Sequence, residues 1–300
     1  MRVGFIGIGN IGKPMAEQII RAGHTLVVHD LRRDAATSLV AEGAIWAGSP
    51  AEVATGCDVV CTCLPGPKEV EPVVLGERGI AAGMVPGSVY VDHTTNAPSL
   101  VRRLRDLLAT KGVDTLDAPV SGGMEGARTR DLVMLVGGDA TVVEKVRPVL
   151  DSMAKTIMHV GDVGAGCVCK LAHNCAGFSI DLAMVECMTL AVKAGVDPAI
   201  LLNVFQRCAI GRSFDLHVRL PATLFRGDFE PRFALKVANK DMTLATELAQ
   251  ALGVPMKLAE ASAEQMSEAM SRGLGDRDSS VFLTLQEERA GAQIRTGSQG

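Results

Sequence analysis

The chain has 300 residues, of which 47% are apolar and only 3% aromatic, and its formal net charge is −4. That length fits one large or two ordinary domains with cores of Val, Leu, Ile, Ala and Met. The mild acidity offers no basic face for nucleic acid or an anionic membrane, and no uninterrupted apolar run reaches the roughly 18–20 residues needed to cross a bilayer.

The chain opens directly in an apolar run, which leaves no room for a signal peptide, so a cytoplasmic protein is expected. Residues 3–6 read as a strand. They lead into Gly7-Ile8-Gly9-Asn10-Ile11-Gly12, a G-x-G-x-x-G turn, and residues 14–20 follow as a helix with an apolar face. Gly7 permits the tight turn, Gly9 lets a pyrophosphate approach the backbone, and Gly12 lets the helix pack close to the strand. The amides at that helix N-terminus then face the phosphates. A second strand, 25–29, ends at Asp30, 18 residues after Gly12. An acid there can accept hydrogen bonds from the adenosine ribose hydroxyls. A dinucleotide site is therefore expected at Gly7 to Gly12 and Asp30. Asp30 favours NAD, because a carboxylate repels the 2′-phosphate of NADP; Arg32 and Arg33 close by leave NADP possible.

A helix over 35–42 and a short strand over 44–47 come next. Residues 58–64 form a near-continuous apolar run, the pattern of a strand buried on both faces of a parallel sheet. It stops at Pro65-Gly66-Pro67. Strand 88–92 ends in His93-Thr94-Thr95, helix 100–111 follows, and strand 114–117 leads into Ala118-Pro119-Val120-Ser121-Gly122-Gly123. Strands 132–136 and 157–160 complete the set. Alternating strands and helices predict an α/β fold, a Rossmann-type doubly wound parallel sheet, with ligands beyond the carboxyl ends of its strands.

The pattern changes after Gly161. Residues 167–194 form a long apolar-rich helical stretch, and 198–208, 233–252 and 257–272 also read as helices. The expected division is a dinucleotide-binding domain over 1–162 and an all-α domain over 163–300. The polar tail from about 288 is expected to fray. Eight cysteines are present, Cys57, Cys61, Cys63, Cys167, Cys169, Cys175, Cys187 and Cys208. Their C-x-C pairs do not supply zinc-ligand spacing, so no metal site is expected and they read as small buried hydrophobes in a reducing compartment. Lys170 and Asn174 are four apart on the long helix and share a face. A lysine in so apolar a helix either snorkels to the surface or is catalytic.

Four motifs in this order and spacing give a resemblance over residues 1 to about 285. They are Gly7-Ile8-Gly9-Asn10-Ile11-Gly12 with Pro14-Met15-Ala16; Asp117-Ala118-Pro119-Val120-Ser121-Gly122-Gly123; Gly164-Ala165-Gly166 with Lys170 and Asn174; and Lys240-Asp241. The chain resembles the β-hydroxyacid dehydrogenase family, which includes 3-hydroxyisobutyrate dehydrogenase and shares the 6-phosphogluconate dehydrogenase-like fold. The resemblance implies that Lys170 is the catalytic acid/base and that Asn174 assists it. It implies that Ser121, Gly122 and Gly123 hold the substrate carboxylate, and that Leu64, Pro65 and Thr95 contact the cofactor. Lys240 is then a lysine reaching cofactor and substrate from the helical domain. The implied reaction is reversible hydride transfer between the nicotinamide and a short 3-hydroxy acid, such as 3-hydroxyisobutyrate or 2-(hydroxymethyl)glutarate. The implied assembly is a homodimer or homotetramer through the helical domain.

Three departures from the family pattern stand out. Ile11 replaces a frequent methionine. Arg130 stands where glycine is frequent, either as a surface residue or as a cation for a second substrate carboxylate. His93 stands where a small hydroxyl residue is common. Specificity is expected from Phe178, Arg212, Phe214 and Phe233. The same chemistry would serve a reductase of glyoxylate, succinic semialdehyde or tartronate semialdehyde. An imine reductase expects the lysine to be replaced, and a non-catalytic nucleotide-binding scaffold expects decay at Lys170, Asn174 or the Ser121 loop; neither change is present.

Overall fold

The computed structural model of the protein describes residues 1–208 and 214–296, and every side chain among them except those of Glu186, Cys187 and Leu190. Arg212 and the Cys187 side chain, both part of the sequence expectations, lie outside the described residues. The chain divides into two compact units, Met1–Leu171 and Ala172–Gly300.

In the first unit nine strands form one sheet: β1 Arg2–Ile6, β2 Thr25–His29, β3 Ile45–Trp46, β4 Val59–Thr62, β5 Val89–Asp92, β6 Asp114–Asp117, β7 Val120–Ser121, β8 Val133–Gly137 and β9 Thr156–Gly161. The order is β3-β2-β1-β4-β5-β6-β8-β7, with β9 also paired to β8. Strands β1 to β6 are mutually parallel. The expectation of a parallel sheet is refined at one edge, where β8 runs antiparallel to β6 and β7. That reversal follows from the short path through Ser121-Gly122-Gly123: β7 and β8 flank the helix Gly123–Thr129, too little chain for the crossover that parallel strands need.

Alternation along each strand sends side chains to two cores. Val3, Phe5, Val59, Cys61, Val89 and Val91 face one side with helices Gly12–Arg21 and Ala140–Met153. Ile6, Val60 and Tyr90 face the other with Pro67–Leu75 and Pro98–Ala109. Burial on both faces is why β4 and β5 read as continuous apolar runs. The helices Pro50–Ala54, Pro67–Leu75 and Ala140–Met153 were absent from the sequence expectation. The last two contain Pro72 and Pro148, which break the helical pattern when read locally.

The second unit is helical. The long helix Ala165–Lys193 gives its first turns to the first unit and the rest to the second. Pro198–Arg207, Leu235–Ala251, Lys257–Ser271 and Thr284–Ala290 follow, with a π-helical turn at Asp215–Arg219. Asp197 starts the first of these by accepting from Ala199 N at 2.9 Å and Ile200 N at 3.0 Å. The tail expected to fray from about 288 is instead packed through Thr296. Ile294 is fully buried, its N–H donates to Glu287 Oε1 at 2.6 Å, and Thr296 N donates to Phe225 O at 3.0 Å. One buried isoleucine and a buried acid anchor a stretch whose composition is polar. The cysteine expectation also needs correction. Cys57, Cys61, Cys167 and Cys175 are buried, but Cys63 and Cys169 are half-buried and Cys208 is exposed. No described helix is long and apolar enough to cross a membrane.

Candidate active site

In the first unit the expected site residues gather at the carboxyl ends of the parallel strands. Gly7 follows β1 with φ +90°, a left-handed conformation, and a Cβ there would overlap the carbonyl oxygen of Cys63, the residue just after β4. A Cβ on Gly12 would overlap the Gly7 carbonyl oxygen. The close approach of helix Gly12–Arg21 to β1 therefore depends on both glycines. Gly9 and Asn10 are exposed, and a Cβ on Gly9 would meet nothing within 4 Å. The space over the turn is open. No side chain caps the helix behind it. These features fit a bound pyrophosphate.

Asp30 is half-buried at the end of β2. It accepts from Ile8 N at 2.9 Å through Oδ2 and from Arg32 N at 2.9 Å through Oδ1. Its carboxylate thus braces the glycine turn as well as standing where ribose hydroxyls are expected. Arg33 lies over the Trp46 ring, 5.9 Å from its centroid, and His29 tilts against the same ring at 5.5 Å.

Leu64 is half-buried and Pro65 exposed beyond β4; Thr95 is half-buried beyond β5. A buried acid ties these two strand ends together. Asp92 accepts from Thr62 Oγ1 at 2.8 Å, Thr94 N at 3.0 Å and Asn96 Nδ2 at 2.9 Å. Thr94 Oγ1 in turn accepts from Leu64 N at 3.0 Å. Burial pushes the Asp92 carboxyl up from its usual range, and the three donors pull it back. His93 is buried, with Nδ1 2.9 Å from Ala118 O. Burial lowers its pKa to about 4, so the ring is neutral at pH 7. It stacks on Phe5, 6.3 Å away, and is a core residue.

Ser121 is half-buried and Gly122 and Gly123 are exposed, with φ +130° and +63°. Arg130 is exposed and left-handed at φ +62°, ending the helix Gly123–Thr129. That conformation explains why glycine suits the position. Lys170 is buried, at 9% exposure, in the same unit as the glycine turn and Ser121. Little of this side chain is left to solvent.

In the second unit, Asn174 Nδ2 donates to Asp241 Oδ2 at 2.7 Å, and Lys240 Nζ lies 2.8 Å from Asp241 Oδ1. Asp241 is 2% exposed and serves both expected site residues. It sat in a quoted motif, yet the sequence reading gave it no role; the signal available was its adjacency to Lys240. Phe178, one turn beyond Asn174, stacks on Phe233 with centroids 6.2 Å apart and rings 5° from parallel. Phe214 is 67% exposed.

Two family models cover the chain. Residues 2–161 match the NAD-binding domain of 6-phosphogluconate dehydrogenase, and residues 164–285 match the NAD-binding domain of NADP-dependent 3-hydroxyisobutyrate dehydrogenase. The 2-(hydroxymethyl)glutarate dehydrogenase of Eubacterium barkeri is 33% identical, across 99% of this chain and 98% of that protein. The 3-hydroxyisobutyrate dehydrogenase of Pseudomonas aeruginosa is 36% identical, across 83% of this chain and 86% of that protein. A solved structure of Mycobacterium tuberculosis 3-hydroxyisobutyrate dehydrogenase with L-serine superposes with a TM-score of 0.86 at 30% identity, covering 95% of this chain and 99% of that one.

Proposed function

The chain belongs to the β-hydroxyacid dehydrogenase family and is an NAD(P)-dependent oxidoreductase; from that premise we propose that it reversibly oxidises a short 3-hydroxy acid, with Lys170 as general acid/base. The observation that carries the assignment of Lys170 is its burial, in one unit with the glycine turn and the Ser121–Gly123 loop. A lysine loses solvation there, a cost that pairing or a catalytic role offsets.

The cofactor, when bound, accepts or returns the hydride at its nicotinamide ring. Lys170 takes the hydroxyl proton as the carbinol is oxidised, or gives it back to the carbonyl in reverse. Ser121 and the amides at Gly122 and Gly123 receive the substrate carboxylate. Asn174, oriented by Asp241, holds the reacting oxygen. Leu64, Pro65 and Thr95 bear on the cofactor, and Lys240, paired with Asp241, is assigned to cofactor and substrate binding. The Phe178–Phe233 stack supplies an apolar wall beside Asn174, which suits a compact carbon skeleton.

The test is the initial rate of nicotinamide reduction with 3-hydroxyisobutyrate, 2-(hydroxymethyl)glutarate, threonate, glycerate and 4-hydroxybutyrate. One acid should be turned over well above the rest. Binding of NAD without turnover of any of them, in either direction, would overturn the reading.

For the cofactor, NAD is favoured by Asp30. Replacing Asp30 with Ala should loosen the glycine turn and weaken both cofactors. The ratio of kcat/KM with NAD to that with NADP should still fall, by about tenfold, because the repulsion of a 2′-phosphate is removed. An unchanged ratio would sink the assignment.

We also assign a homo-oligomer, dimer or tetramer, built through the helical unit. Ile180, Ile200 and Val204 leave 51%, 62% and 48% of their surface exposed there, apolar area available to a second copy. Light scattering on the purified protein should give a multiple of the chain mass; a monomer at micromolar concentration would refute it. The free, largely buried thiols fit a reducing compartment, the cytoplasm.

A further inference from the structure

Asp117 ends β6 and begins the segment that carries Ser121, Gly122 and Gly123. Its side chain is fully buried. Both carboxylate oxygens are used on a single target. Gly164 N donates to Oδ1 at 2.6 Å, and Cys167 N donates to Oδ2 at 2.7 Å. These amides lie just before and within the first turn of the helix Ala165–Lys193, where backbone donors have no partner inside the helix. Burial pushes the carboxyl up from its usual range, and the two amides oppose that. The positive end of the helix favours the ionised form.

Two bonds to one turn fix both the height and the rotation of that turn. Cys167 and Lys170 are three residues apart, so they lie on one face in successive turns. The same carboxylate is separated from Ser121 by only Ala118, Pro119 and Val120. The packing around it leaves no slack. A Cβ on Gly137 would overlap Asp117 Oδ1, and one on Gly166 would lie 3.0 Å from Oδ2 and overlap the Leu135 carbonyl oxygen. The nearest acid across the sheet is Asp92, the register partner of Asp117 on β5, and its own oxygens are taken by Thr62, Thr94 and Asn96. The thiol of Cys167 is held neutral by burial.

We propose that Asp117 is a positioning residue that sets Lys170 in register with the carboxylate-binding loop at Ser121–Gly123. The inference rests on the reading of Lys170 as the general acid/base. Asp117 touches neither substrate nor cofactor; it acts by holding the first turn of the helix against the strand end that leads to the loop.

The experiment compares wild type, Asp117→Asn, Asp117→Ala and Lys170→Ala, using whichever acid of the panel is turned over. NADH fluorescence titration reports that each variant is folded with an intact cofactor site. Asn keeps one acceptor and Ala keeps none. The expected kcat losses are about tenfold for Asn and about a hundredfold for Ala, because a general base displaced by a fraction of an ångström loses rate steeply. The NADH dissociation constant should stay within about twofold, since the glycine turn and Asp30 sit on other strands. A purely structural part would lower thermal stability without grading the kcat of the folded protein. The proposal is overturned if both Asp117 variants bind NADH and keep wild-type kcat. It is equally overturned if neither folds while Lys170→Ala does, which would assign Asp117 to stability alone. Wild-type turnover by Lys170→Ala would overturn the reading of Lys170 itself, and the proposal with it, a result distinct from either of the others.

Discussion

Lys170→Ala should lower kcat for oxidation of the hydroxy acid by about a thousandfold, in the range set by loss of a general base. The residue sits in the first turns of the helix Ala165–Lys193, with Cys167 and Leu171 buried on either side. Alanine is a strong helix former, so the helix should persist. NAD binding should be nearly unaffected, because the proposed cofactor cradle, Gly7 to Gly12 and Asp30, follows β1 and β2 and lies away from Lys170 in sequence. The pH profile offers a second readout. In wild type the oxidation rate should climb with pH as the amine becomes free to accept a proton. In the variant that acid limb should disappear, leaving a slow and flat rate. A variant that kept the limb would mean that another group takes the proton.

The second large effect is expected at Gly12. A methyl group there would run into the Gly7 carbonyl oxygen, and the ring of Phe5 lies 3.1 Å from the same point. Neither neighbour can yield: Gly7 is held by its N–H to His29 O at 3.1 Å, and Phe5 is in the core. The helix Gly12–Arg21 must then move outward, taking its N-terminal amides away from the proposed pyrophosphate site. Gly12→Ala should weaken NAD binding by about ten- to a hundredfold, in line with an overpacking penalty of about 1–3 kcal/mol. Calorimetric titration with NAD measures it directly. The Gly9→Ala variant is an instructive comparison. Its Cβ meets no protein atom within 4 Å, so the apo fold should be unchanged while the pyrophosphate is obstructed. Equal NAD affinity in Gly9→Ala and wild type would contradict the placement of the phosphates over this turn.

Much of the fold was legible because its signals are local. The G-x-G-x-x-G turn, the apolar runs of β4 and β5 and the change to helical periodicity after Gly161 can each be read within one short window. Strand assignment placed Asp30, Leu64 and Thr95 at carboxyl ends, and the family resemblance added the cofactor role of Leu64 and Thr95. What escaped was of two kinds. Helices such as Ala140–Met153 carry a proline inside them, and tertiary packing overrides that local signal: Val143, Val146 and Val149 are buried against the sheet. The polar scaffolding escaped for a different reason. Asp117 meets Gly164 and Cys167 across gaps of 47 and 50 residues, and Asn174 meets Asp241 across 67. A buried acid and its donors share no periodicity and no spacing rule. Only the fold brings them within 3 Å of one another, and these three-dimensional pairings decide where Lys170 and Asn174 stand. His93 and Arg130 were ambiguous because their meaning depended on burial and on one backbone angle, and neither is written in the neighbouring residues.

Trp46 has an optical consequence. The chain contains one tryptophan and one tyrosine. Tyr90 is fully buried, with its hydroxyl 2.8 Å from Thr62 Oγ1. The indole is at the sheet edge, under the Arg33 guanidinium and beside His29, the residue that precedes Asp30. Tryptophan emission from this protein is therefore the emission of a single place, the sheet edge beside His29 and Arg33, next to the proposed ribose site at Asp30. The cation above the ring makes that emission sensitive to where Arg33 points. A 2′-phosphate bound by Arg33 would take the guanidinium off the indole, whereas NAD carries no such group. The two cofactors should thus give different spectral responses without any label, and identical responses would show that Arg33 stays on Trp46 with either one.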